Sequence, residues 1–181
     1  MGLKRRTHTW LNVLGALLLT GGSVFCSTAD NMRFSGALVA EPCTLRPGDE
    51  NIRLEFGSVI DKYLYTYGRT LGKAFSLVLQ DCDVSLGKTV KVTFNGAESK
   101  ALPGLLVPDG GSQVKGIALG IETIAGLPVP LNKSSHGFTL TKGNNSVQLQ
   151  VYVQGEPEAI AQRSIGLGTF SGVATFSLEY E

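Results

Sequence analysis

Cysteine and histidine are the side chains from which redox, metal or nucleophilic chemistry would have to be built, and the sequence holds three of the first and two of the second in 181 residues. Cys26 and His8 fall within an opening stretch of Lys4-Arg5-Arg6, a largely apolar run from Trp10 to Leu19, and small residues at Gly21-Gly22-Ser23. That charged, apolar, small order is the pattern of a secretory signal, and the run is too short and interrupted to predict a membrane span. Ser27-Thr28-Ala29 offers small residues before a cut near Asp30, and cleavage after Cys26 is a second site; either removes Cys26. A lipid anchor on Cys26 is a further alternative, disfavoured by the bulky Phe25 where processing wants a small residue. Export places the remaining cysteines, Cys43 and Cys82, in an oxidising setting where a disulfide is expected. Such a bridge closes a loop of about 40 residues and contributes about 4 kcal/mol in the chain-entropy model.

Catalytic chemistry finds little else to use. Two cysteines and His136 are too few for a four-ligand zinc site. His136, beside Ser134-Ser135 and followed by Gly137, reads as a solvated loop residue rather than a general base. Gly68-Arg69-Thr70-Leu71-Gly72-Lys73 has a superficial likeness to a phosphate loop, but its glycine spacing is one short and Ala74 stands where Ser or Thr is required. The sequons Asn132-Lys133-Ser134 and Asn144-Asn145-Ser146 are patterns that arise often by chance. Tyr63, Tyr65 and Tyr67 alternate, so on a strand they would line one side and stack on a sugar ring, or cover a sandwich edge. No enzyme, cofactor, metal or small-molecule substrate is implied.

The elements that must carry these residues are β. An apolar content of 43% with 17% charged residues excludes a disordered polymer, and 23 glycines with seven prolines mark a turn-rich chain. A formal charge of +1 argues against nucleic acid, and removing residues 1–29 leaves 13 basic against 15 acidic side chains. Strand-like segments are predicted at 32–40, 52–59, 74–82, 89–95, 116–123, 146–154 and 168–180, with no amphipathic helix. Seven short strands at this spacing predict a β-sandwich of immunoglobulin type. In the last segment Phe170, Gly172, Ala174, Phe176, Leu178 and Tyr180 share one face, and the sequence stops at Glu181 directly after it. Near the start, Met32, Phe34, Gly36, Leu38 and Ala40 form a second alternating face. That segment is either the first strand of its own sandwich or a strand exchanged into a neighbouring copy.

This combination resembles the subunits of bacterial chaperone–usher pili. The likeness rests on the extension Met32-Arg33-Phe34-Ser35-Gly36-Ala37-Leu38, on Pro42-Cys43 and Leu79-Gln80-Asp81-Cys82, on Gly168 and on the penultimate Tyr180. Ala101-Leu102-Pro103-Gly104, Gly116-Ile117-Ala118-Leu119 and Ala174-Thr175-Phe176-Ser177-Leu178-Glu179-Tyr180 look most like a minor tip or adaptor subunit of P-type pili. The resemblance implies an all-β, incomplete immunoglobulin-like sandwich lacking its seventh strand, completed by donor-strand exchange. It divides the chain into a signal at 1–29, a donor extension at 30–42 and a pilin domain at 43–181. Met32, Phe34, Gly36, Leu38 and Ala40 would be the donor face. Gly168, Phe170, Gly172, Ala174, Phe176, Leu178 and Tyr180 would border the groove that a periplasmic chaperone fills first and a neighbouring subunit fills later at the outer-membrane usher. The product is a hetero-polymer at the cell surface. Two other roles within that frame are a chain terminator and a carbohydrate-binding tip adhesin, the latter usually needing a second domain for which 152 mature residues leave no room.

Overall fold

The computed structural model describes residues 35–38 and 40–181. In chain order its elements are β1 (Thr44–Leu45), α1 (Asp61–Tyr67), β2 (Lys73–Cys82), β3 (Thr89–Asn95), β4 (Ile117–Thr123), β5 (Phe138–Thr139), β6 (Gly143–Gly155), α2 (Pro157–Ala161) and β7 (Thr175–Tyr180). All strand pairs are antiparallel, in one sheet ordered β1-β2-β6-β4 and another ordered β5-β3-β7. Alternation decides which faces meet. Leu77 and Leu79 on β2, Val147, Leu149 and Val153 on β6, and Val90 and Val92 on β3 are all buried between the sheets, as period-two side chains with one apolar face must be. Cys43 and Cys82 are joined by the expected disulfide, which ties the approach to β1 to the end of β2. Immediately before it, Asp81 at φ 53° takes the bulge that shifts the β2–β6 register.

Several expectations need correction. Met32 and Phe34 lie outside the described residues, while Gly36, Leu38 and Ala40 are exposed and without regular secondary structure. Residues 52–59 keep strand-like alternation, with Ile52, Leu54 and Phe56 half-buried and Arg53 and Glu55 exposed, but they join no ladder. The last strand begins at Thr175 rather than 168. Upstream of it, the carbonyls of Thr169 and Ser171 accept the amides of Gln113 and Asp109, each at 2.8 Å, so that stretch is held by a loop instead of a sheet. Two short helices stand where none was predicted, and α1 contains the tyrosine row. Helical geometry places Tyr63 and Tyr67 one turn apart with ring centroids at 4.4 Å, and turns Tyr65 the other way. The three tyrosines therefore do not share a side, as a sugar platform on a strand would require.

Outside the first sheet, Arg69 pins the end of α1 to β4. Its guanidinium makes a two-pronged bond to Glu122, at 2.9 and 2.5 Å, and lies 3.6 Å from the centroid of the Tyr152 ring. Gln150 donates to the same carboxylate at 2.7 Å, and Glu122 is 3% exposed. Tyr152 pairs in register with Gly120, where any side chain would overlap the ring. The former phosphate-loop candidate is thus a helix stop at Gly68, whose amide bonds the Leu64 carbonyl, followed by this clamp.

The hydrogen bond from Arg69 holds the Glu122 carboxyl below the ordinary carboxylate value, against the opposing effect of burial. A depressed folded-state value means that the stabilisation is present above the unfolded carboxylate's pKa and is lost as pH falls through the folded one. Because the Arg69 side chain keeps 38% exposure, Glu122→Gln is expected to cost about 1–2 kcal/mol at pH 7 rather than the 3–5 of a fully buried pair. Denaturant melts at pH 7 and pH 3 check this: the gap between wild type and variant is expected to close on acidification.

Candidate functional site

β7 is the edge of its sheet. On one side it pairs with β3, bringing Phe176, Leu178 and Tyr180 opposite Phe94, Val92 and Val90 and so onto the core face. On the other side, among the described residues, it has no strand partner. Residues 52–59 are the second unpaired edge. Between the two runs an open groove of about 1010 Å³, walled by residues 50–59 and by 165–174 with Phe176. Its floor is the sandwich core itself, including Phe75, Leu106, Ile117, Leu119, Ile121 and Val153. Phe176, Leu178 and Tyr180 are half-buried, and of the three Phe176 faces the groove. Burial nevertheless lifts the Tyr180 hydroxyl above its usual pKa.

The walls differ in how they are held. The 165–174 wall is bonded to residues 109–115, and Gly172 lies so close to the floor that a Cβ there would come within 2.7 Å of Leu119 and 3.1 Å of Leu106. The other wall is tethered by the Lys73 ammonium, which donates to the Glu55 carbonyl. At the α1 end, Leu64 enters the groove lining and the Tyr65 hydroxyl accepts the Ile165 amide at 3.1 Å.

An apolar floor between these walls offers ladder hydrogen bonds and side-chain burial to an extended peptide; the ionisable lining residues Glu50, Arg53, Glu55 and Asp61 belong to the 50–59 wall and the α1 end. His136 stands away from the groove lining with its ring beside Phe138, centroids 4.5 Å apart. Among the described residues no cluster of three or more metal-ligating side chains occurs. The predicted border residues Gly168, Phe170, Gly172, Ala174 and Phe176 all line the groove, whereas Leu178 and Tyr180 continue along β7 beyond it. Sequence reasoning missed the facing wall, although the alternation of Ile52, Leu54 and Phe56 carried its signal.

The model of the fimbrial protein family matches residues 32–181. The chain belongs to that family. The Fimbria A protein of Serratia marcescens is 31% identical to this fimbrial chain over 173 residues, covering 93% of it and 97% of that protein. The fimbrial adapter PapK of Escherichia coli is 32% identical over 172 residues, covering 92% and 97%. The crystal structure of the P pilus rod subunit PapA superposes with a TM-score of 0.67 at 23% identity, over 78% of this chain and all of that one. The fold is therefore the immunoglobulin-like sandwich of pilus subunits, and the family is one of structural subunits rather than enzymes.

Proposed function

We propose that this fimbrial chain is a minor adaptor subunit of a chaperone–usher pilus, accepting a strand in its groove and donating one from residues 30–42. The observation that carries this reading is the pair of walls, residues 52–59, which join no ladder, and residues 165–174 leading into the edge strand β7, flanking an apolar floor. Left empty, such a groove keeps core side chains wet and invites edge-to-edge association, so a periplasmic chaperone strand is needed before a subunit strand replaces it. The donor face of Met32, Phe34 and Leu38 returns about 1.5–3 kcal/mol per side chain on burial, with about 1 kcal/mol for each ladder bond. Donor and acceptor are different surfaces, so association is head-to-tail and yields a fibre at the cell surface.

The groove extends along the wall from Ile165 to Phe176, which favours strand acceptance over chain termination. Adaptor position is supported by the PapK likeness, although the major MR/P fimbria protein of Proteus mirabilis stands nearly as near, at 30% identity. Mixing the chaperone-bound subunit with synthetic extension peptides from its neighbouring subunits tests the reading. Displacement of the chaperone by one of them is expected; displacement by none would overturn strand acceptance.

A further inference from the structure

We propose that Phe56 and Phe170 form an aromatic brace across the empty groove, which an entering strand has to part, and that the Phe56 wall is the one that gives way. The inference rests on the strand-accepting reading above. The two rings reach from opposite walls with centroids 6.0 Å apart and planes at 45°. Neighbouring strands of a sheet lie about 4.8 Å apart, so a strand seated between two backbones holds them about 9.6 Å apart and needs the space between them for its inward side chains. At this point of the groove that space is already filled by the ring pair.

The walls are unequal partners. Phe170 lies between Thr169 and Ser171, whose carbonyls are bonded to Gln113 and Asp109, and two residues before Gly172, which rests on Leu119 and Leu106. Its backbone is held from behind on both sides. Phe56 lies in residues 52–59, which join no ladder, and is followed by Gly57 at φ 65°, a backbone conformation that turns the chain just beyond the ring. Its tether is the neighbouring Lys73 contact to the Glu55 carbonyl, a single side-chain bond where the facing wall has backbone bonds. The brace thus gives the unfilled groove a closed resting form at its middle and makes strand entry wait on one side chain.

A labelled extension peptide, taken from the neighbouring subunits or from residues 30–42 of this chain, mixed by stopped flow with the oxidised chain lacking residues 30–40, reads the entry rate directly. Phe56→Ala and Phe170→Ala are each expected to raise it roughly 2- to 10-fold, the range set by losing one aromatic contact, and the double variant no further, because both remove the same contact. Phe56→Leu keeps most of the volume and is expected to show the same acceleration, should the alanine variants fold poorly by circular dichroism. Saturable binding with unchanged rates, or additive effects in the double variant, would overturn the brace while leaving strand acceptance intact. Absence of saturable binding of every such peptide, to the parent chain and variants alike, would overturn strand acceptance, and the brace with it.

Discussion

Phe176→Asp is expected to abolish recovery of a folded subunit. The Phe176 ring sits 6.1 Å from that of Phe94, which is 5% exposed, and the two residues are register partners across the β3–β7 ladder. Removing a core phenyl ring typically costs about 3–5 kcal/mol, and placing a carboxylate over an apolar floor adds a penalty of comparable size unless it takes up a proton. A domain of this size is stable by only about 5–15 kcal/mol, and one whose groove is unfilled has less to spare. Half-burial reduces the ring's share without changing the sign. Ser177→Asp, one residue along and exposed on the opposite face, is expected to shift stability by no more than about 0.5 kcal/mol. Soluble periplasmic yield and thermal melting of the two variants side by side separate the effect of position from that of charge. A soluble Phe176→Asp subunit melting with the wild type would contradict the role given to this face.

The contrast between those neighbouring residues reflects what was legible from residue order. β3 matches the predicted segment residue for residue, because Val90, Val92 and Phe94 alternate with Thr89, Lys91 and Thr93 and both flanks are turns. Phe170 to Phe176 were legible as one apolar face for the same reason, and it was the resemblance to pilus subunits that implied a groove beside it. Alternation reports that a segment has one apolar face; it does not report whether another strand pairs with its edge. Residues 52–59 alternate as well as β3 does, yet they join no ladder. The helices escaped notice because seven and five residues are too few for a 3.6-residue period to show, and Tyr63, Tyr65 and Tyr67 imitate a strand. Contacts between distant positions, Phe56 with Phe170 and Arg69 with Glu122, leave no trace in spacing at all.

The disulfide and the clamp gain meaning from the open groove. A sandwich with one flank unfilled forgoes part of the burial that a closed one has, so covalent and electrostatic ties elsewhere carry more of its stability. Cys43–Cys82 fastens β1, which contributes only two residues to its sheet, and the Arg69–Glu122 pair fastens α1, whose Leu64 and Tyr65 shape the groove's end. Both ties lie off the groove lining, where they strengthen the body without occupying the space a strand would need.

Donation and acceptance should therefore be separable, and deletion of residues 30–40 is expected to separate them. The truncated chain keeps Cys43, both walls and the floor, so binding of a 30–42 peptide is expected within about threefold of the wild type. It loses Met32, Phe34 and Leu38, whose burial in a neighbour would contribute about 1.5–3 kcal/mol each, together with several ladder bonds at about 1 kcal/mol. A deficit on the order of 10 kcal/mol corresponds to about seven decades in an equilibrium constant, enough to remove the subunit from assembled fibres altogether. Peptide titration and immunogold counting of the subunit in purified pili measure the two activities independently. Retained incorporation would refute strand exchange through this segment. Peptide binding by the truncated chain but not by the wild type would instead make residues 32–40 a strand of the subunit's own sandwich, the alternative that alternation alone left open.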